Sequence, residues 1–241
     1  MSVPTLRVDV LTLFPALFDG FLSQSILRRA IEKKLVAIER WDLRDWALGK
    51  HKQVDDRPFG GGPGMILMAP PVVAAAEAVR AITEPPGLLI ALSPQGPRLD
   101  QNRIARLAAC PRLILLCGRY EGFDERIIEV LEPELLSIGD FILSGGEVAA
   151  MVVIDAVVRL VPGVLGDAES AVDESFGPEG TLEYPQYTRP RVFRGRPVPE
   201  VLLSGDHAAI ARWRREHRRT PHAEPRAPQA EPRAPYAEPP A

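Results

Sequence analysis

Two short runs, Leu88–Leu92 and Leu113–Cys117, are apolar at every position, and they constrain the fold more than anything else in the chain. A strand with one wet face alternates apolar and polar residues, whereas a strand that is apolar throughout must be covered on both faces. Each run is followed by a stretch with helical spacing, Asp100–Ala109 after the first and Asp124–Leu131 after the second. The same alternation extends outward. Leu6–Phe14 reads as a strand, Phe18–Leu35 as a helix, Ile38–Leu43 as a second strand and Pro71–Ile82 as an alanine-rich helix. Leu135–Ile138 gives a fifth strand, and Glu147–Val161 a helix whose apolar character nearly all round implies burial. Strands and helices in turn predict an α/β fold, a parallel sheet with helices on both faces.

The pattern stops at Pro162. From there to Tyr187 Gly, Asp, Glu and Ser dominate and no periodicity survives, as expected of a linker. A second unit follows over 188–220, extended through TRPRVFRGRPVPEVLLSG and then helical over Asp206–Arg219, with Ser204 or Asp206 placed to cap the helix. Residues 222–241 read HAEPRAP, QAEPRAP, YAEPPA, a degenerate seven-residue repeat too rich in proline and too poor in apolar mass to pack, so 221–241 is expected to be a disordered tail. The chain therefore divides into 1–162, 163–187, 188–220 and 221–241.

Several classes of protein are excluded by what these segments lack. No apolar stretch reaches the roughly 18 residues of a membrane span, and MSVPTLRVDVLTLF has neither a basic leader nor a cleavage site, so a cytoplasmic protein without membrane contact is expected. Cys110 and Cys117 fit neither a disulfide framework nor a zinc pair and read as buried thiols. The histidines at 51, 207, 217 and 222 form no HxxxH or HExxH pair, and no residues are assigned to a metal. The net charge of −3 hides an asymmetry: nine arginines face three acidic residues between Thr188 and Thr220, a local +6, which leaves −9 for the rest. A basic segment on an acidic body suits a polyanion.

Four segments have the composition of a ligand site. VDDRPFGGGPGM, Val54–Met65, sets four glycines behind two aspartates and an arginine and lacks the GK[ST] of a nucleotide P-loop; a surface loop explains it as well as a ligand loop does. LSPQG (Leu92–Gly96), CGRYEGFDERI (Cys117–Ile127) and SIGDFILSGGE (Ser137–Glu147) each follow an apolar strand, and ligands of parallel sheets bind at the carboxyl ends of strands. Apolar residues interrupted by glycines in the last of these suit a flat adenine ring beside exposed backbone. No GxGxxG follows the first strand, which argues against an ordinary dinucleotide fold.

Together with VLTLFP, IDAVVRLVPGVLG, YPQYTRP and VPEVLLSGDHAAIARWR, these segments resemble, in order and from Arg7 to about Arg215, the bacterial tRNA (guanine-N1)-methyltransferases. The resemblance implies a deep trefoil knot of the SPOUT kind, tied by the loops at 92–96, 117–122 and 137–147, and a small, mainly helical C-terminal domain. It implies S-adenosylmethionine as methyl donor, held by Gly118 and by Ile138, Gly139, Asp140, Phe141, Ile142 and Leu143, with Ser93, Pro94, Tyr120, Gly145 and Gly146 nearby. It also implies a homodimer with each active site at the subunit interface, and methylation of guanosine 37 in the anticodon stem-loop of tRNA. Asp55, Arg57, Arg119 and Glu121 would position the donor or the target base, and Arg212, Arg214 and Arg215 would grip tRNA phosphates.

By the same resemblance, Arg159 would stabilise charge on guanine O6 while a carboxylate in the linker removes the N1 proton. The family's aspartate position is held here by Glu174, with Asp173 one residue earlier. Both remain candidates, and Asp173 is preferred on chemical identity. Relatives continue past this point with a RTxxRRPDLL segment, whereas HRRTP leads here directly to the repeat, so the tRNA-binding domain is expected to be short. The alternatives are a knotted RNA-binding protein without catalysis, and a knotted methyltransferase acting on rRNA or on ribose.

Overall fold

The computed structural model describes residues 4–165, 175–176 and 180–221. Within it the chain forms two compact units, Met1–Ala171 and Val172–Ala241.

The first unit is a five-stranded sheet in the order β2-β1-β6-β5-β7. Its strands are β1 (Leu6–Thr12), β2 (Val36–Asp42), β5 (Leu88–Leu92), β6 (Arg112–Cys117) and β7 (Glu134–Leu136), and every pairing among them is parallel. Alternate residues of the two apolar strands point to opposite faces. Ile90, Leu92, Leu113, Leu115 and Cys117 join one core with α2 (Ser25–Glu32), α4 (Gln101–Ala108) and α6 (Gly146–Val158). Leu89, Ala91, Ile114 and Leu116 join the other with α3 (Ala69–Arg80) and α5 (Glu125–Leu131). The uninterrupted apolar runs are thus explained: a helix layer covers each face, as the sequence predicts.

Three expectations shift. The single helix expected over Phe18–Leu35 is broken. A 3-10 turn at Pro15–Phe18 and a short α1 (Asp19–Leu22) precede α2, and Ser25, at φ 51°, marks the break. Cys117 is buried, but Cys110 is only half-buried, its thiol reaching the Arg106 carbonyl at 3.6 Å. Helix α6 does not bury its whole circumference: Val148 and Val152, one turn apart on it, are exposed.

A buried polar cluster ties the amino-terminal side of the sheet together. The Asp9 carboxylate, fully buried on β1, accepts from Arg7 (2.8 and 2.9 Å), Trp41 (2.9 Å) and Arg112 (2.8 Å). Arg112 also donates to the Val79 carbonyl (2.6 Å) and to the Thr83 hydroxyl (2.7 Å), so it closes the end of α3. Burial alone would raise the Asp9 carboxyl, but the three donors outweigh it and hold it below the usual carboxylate range.

Strands β3 (Asp55–Asp56) and β4 (Ile66–Leu67) pair with each other and bracket the glycine loop. In the second unit, β8 (Val192–Phe193) and β9 (Arg196–Pro197) form a hairpin through Arg194 and Gly195, both at positive φ, and α7 (Glu200–Leu203) precedes α8 (His207–Glu216). Asp206 caps α8 by accepting from the Ala208 and Ala209 amides at 3.0 Å. Trp213 stacks on His217 at 4.1 Å, and Tyr184 and Tyr187 meet its ring edge, so residues beyond 180 join this unit. A Leu182–Arg219 bridge does the same. No helix among the described residues is long and apolar enough to cross a membrane.

Candidate functional site

Strands β6, β5 and β7 are neighbours, so the loops leaving their carboxyl ends meet. They interlock through the backbone. The Ser93 amide donates to the Leu136 carbonyl (3.0 Å), the Leu99 amide to the Ser137 carbonyl (2.7 Å), and the Gly146 amide to the Gly118 carbonyl (2.7 Å). Arg119 and Gly145 form an antiparallel bridge. Approach this close demands glycine: a Cβ on Gly96 would stand 2.3 Å from the Leu136 nitrogen, and one on Gly146 2.8 Å from the Cys117 Cα.

These loops enclose a cavity of about 270 Å³. Leu92, Leu136, Ile138, Leu143 and Ala149 supply apolar wall, while Ser93, Arg119 and Glu121 supply polar groups. Of the residues expected around a methyl donor, Ser93, Pro94, Gly118, Tyr120, Ile138 and Gly139 line it. So do Phe141, Ile142, Leu143, Gly145 and Gly146. Asp140 stands apart from the wall; its carboxylate is exposed and pairs with Arg98 at 3.0 Å. Cys117, at the end of β6, is buried, and its thiol is pushed well up by burial and further by the charge of Glu147, which disfavours the reactive thiolate.

Tyr120 adopts a left-handed φ of 60° between Gly118 and Gly122, backbone strain of a kind found where a loop must present a side chain. Burial, then the neighbouring Asp55, raise its hydroxyl above the ordinary tyrosine value, with Arg44 and Arg119 opposing. Asp55 is thus a neighbour of Tyr120, which lines the cavity. The glycine loop is anchored there too, since the Glu121 amide donates to the Met65 carbonyl (2.9 Å) and the Leu67 amide to the Gly122 carbonyl (2.9 Å). Gly64 lies directly under Glu121. Arg57 is exposed, its amide held by Asp56, and it is not part of the cavity wall.

The remaining expected residues lie elsewhere. Arg159 follows the last turn of α6, on which Gly146 and Ala149 line the cavity; at about 1.5 Å per residue Arg159 stands about 15 Å along the axis from Ala149. Arg212, Arg214 and Arg215 are exposed on α8, with the Arg214 guanidinium over the Tyr184 ring at 4.9 Å. Asp173 and Glu174 lie outside the described residues.

A further cluster, outside the residues expected from the sequence, surrounds Arg119 at the head of α6. Glu147, only 1% exposed, accepts from Arg119 Nε (2.8 Å) and from the Thr12 hydroxyl (2.8 Å), and Phe14 lies under the Arg119 guanidinium at 4.5 Å. Two signals were available: an acid at the head of an otherwise apolar helix, and a threonine at the carboxyl end of a strand, the edge where ligands bind.

The fold and cavity define an α/β protein that binds a small molecule with interlocked loops at the carboxyl edge of a parallel sheet, joined to a second unit rich in arginine. The chain belongs to the tRNA (Guanine-1)-methyltransferase TrmD family, whose model matches residues 6–228. It is 59% identical to the tRNA (guanine-N(1)-)-methyltransferase of Rhodopirellula baltica, over 89% of each chain. It is 54% identical to the protein of the same name from Halorhodospira halophila, over 86% of this chain and 78% of that one. Against that of Geobacter sulfurreducens the identity is 53%, over 88% and 85%.

Proposed function

We propose that the protein transfers a methyl group from S-adenosylmethionine to N1 of guanosine 37 in tRNA, next to the anticodon. The observation that carries this is the cavity built by the loops at 92–96, 117–122 and 137–147, in a chain that belongs to the family. Its residues fit the donor. The walls at Leu92, Leu136, Ile138 and Leu143 are apolar enough for an adenine ring, and the glycines at 118, 139, 145 and 146 bare backbone amides and carbonyls for its polar edge. Bound there, S-adenosylmethionine supplies an electrophilic methyl group on a sulfonium.

The rest is the work of the chain's own residues. Guanine N1 carries a proton at neutral pH, and the carboxylate of Asp173 or Glu174 removes it, a general-base contribution of roughly 10²–10⁴-fold. Arg159 holds the charge that develops on O6. Set about 15 Å along the helix axis from Ala149 on its own chain's cavity wall, Arg159 serves a second copy's cavity. The exposed Val148 and Val152 on the same helix supply an apolar face for that contact. The protein is thus a homodimer with composite active sites.

A trefoil knot accounts for the path of the chain after β7. That strand lies beside β5, on the side away from β6, yet the chain returns across the end of β5 to seat Gly146 against Gly118. Asp55, Arg57 and Glu121 surround the target base, which must leave its stack to be reached. The arginines of α8 bind phosphates of the anticodon stem-loop in the cytoplasm, where tRNA is modified.

Incubation with methyl-labelled S-adenosylmethionine and a tRNA transcript carrying guanine at position 37 tests the reading. Label is expected in N1-methylguanine on nuclease digestion; label in ribose, or none, overturns it. Asp173→Ala is expected to abolish transfer with donor binding intact. Loss in Glu174→Ala alone would move the base to Glu174.

A further inference from the structure

The geometry points to Glu147 as a positioning residue for methyl transfer: with Thr12 and Phe14 it fixes the Arg119 side chain so that its guanidinium faces the donor cavity. The inference rests on the function proposed above. Arg119 crosses from the β6 loop to the head of α6, and four contacts define its course. Its Nε donates to Glu147 Oε2 at 2.8 Å, its Nη1 to the Ser144 carbonyl at 3.2 Å, and its guanidinium lies 4.5 Å from the centre of the Phe14 ring. The fourth is steric: a Cβ on Gly145 would fall 2.3 Å from Arg119 Nε, so glycine there makes room for the side chain.

Glu147 is itself held from behind. Its second oxygen accepts from the Thr12 hydroxyl at 2.8 Å, and that hydroxyl accepts the Phe14 amide at 2.9 Å. The carboxylate therefore joins the end of β1, the head of α6 and the β6 loop. A carboxylate this deeply buried is costly unless paired, and the pairing engages only the Nε edge of Arg119. Arg119, so held, is one of the residues that line the cavity. An arginine so clamped meets an anionic or carbonyl group of the donor or the target base without first losing side-chain freedom.

A double-mutant cycle separates this role from simple packing. Glu147→Met, Arg119→Met and the double variant are compared in single-turnover methyl transfer to tRNA and in calorimetric binding of S-adenosylhomocysteine. Thermal unfolding is followed in parallel. Glu147→Met is expected to slow transfer by on the order of 10²-fold, the scale of a misplaced active-site group, and the double variant to be no slower than Arg119→Met. Glu147→Gln, which keeps one acceptor, should recover most of the rate.

In nitrogen-15 spectra the Arg119 Nε–H signal is expected to be protected from exchange in the parent by its bond to Glu147 and to become exchangeable in Glu147→Met. Should Glu147→Met fail to fold, Thr12→Val removes the hydroxyl that bonds Glu147 from behind and accepts the Phe14 amide, keeps the Glu147 carboxylate itself, and should still loosen that signal. The inference falls if the Glu147 effect persists in full without Arg119, or if the Nε–H signal stays protected in both Glu147→Met and Thr12→Val. A parent protein that leaves tRNA unmethylated but shows the protected signal, lost on substitution, would refute the proposed function and leave the clamp standing.

Discussion

Gly96 and Gly145 look alike in the sequence, each a glycine in a loop after an apolar strand, yet their substitution has different consequences. A Cβ on Gly96 meets the Leu135–Leu136 backbone, at 2.3 Å from the Leu136 nitrogen and 2.7 Å from its Cα, which cannot swing away as a side chain can. Gly96→Ala is expected to cost about 1–3 kcal/mol as overpacking and to lower the denaturant midpoint. At Gly145 the obstacle is the Arg119 side chain, which can move. Gly145→Ala is expected to unfold close to the parent in the same titration while losing the Arg119–Glu147 contact and, with it, transfer rate. Composition identified both positions as glycines beside strand ends. Which atoms stand against them depends on how three loops distant in sequence meet, and no local pattern encodes that. Glu147 and Thr12 are hidden in the sequence for the same reason: Glu147 pairs with Arg119 and with Thr12, and both partners are remote from it in the chain.

Among the elements, strand β1 shows how one polar residue can be read as noise by periodicity and yet be required. Asp9 interrupts an apolar strand, and its three donors come from β1, β2 and β6. Asp9→Asn leaves Arg112 buried without its counter-charge and is expected to cost about 3–5 kcal/mol, measurable by urea unfolding at neutral pH. The pH dependence follows from the direction of the shift. Because the native carboxyl is depressed, its stabilisation is complete above the unfolded-chain value of about 3.9. It is lost as pH falls from there through the lower native value. The parent should therefore lose stability below about pH 4 more steeply than Asp9→Asn. The strands themselves were legible because burial on both faces leaves a continuous apolar run. Periodicity alone predicts one helix over Phe18–Leu35 because the break at Ser25 is a backbone conformation, with no glycine or proline beside it to announce it.

At the scale of the whole molecule, the proposed dimer would place the two ends of α6 in different active sites. If the two ends of α6 serve different active sites, a chain lacking one function should be rescued by a chain lacking the other. Arg159→Ala retains the cavity. Ile138→Trp fills a wall of a cavity of about 270 Å³ and retains Arg159. Each homodimer is expected to be inactive, the first with S-adenosylhomocysteine binding preserved and the second with it abolished. Mixed and refolded in equal amounts, half the dimers carry one chain of each kind, and each of these holds one intact site. Activity should then return to about one quarter of the parent level, the fraction set by closed two-fold assembly. Recovery should disappear when Val152→Asp, which places a charge on the exposed stripe of α6, is added to both chains, with monomers seen by analytical ultracentrifugation. A mixture that stays inactive although heterodimers form would place Arg159 outside the composite site and return the O6 contact to a residue of the donor's own chain, with Arg119 the nearest cation on its wall.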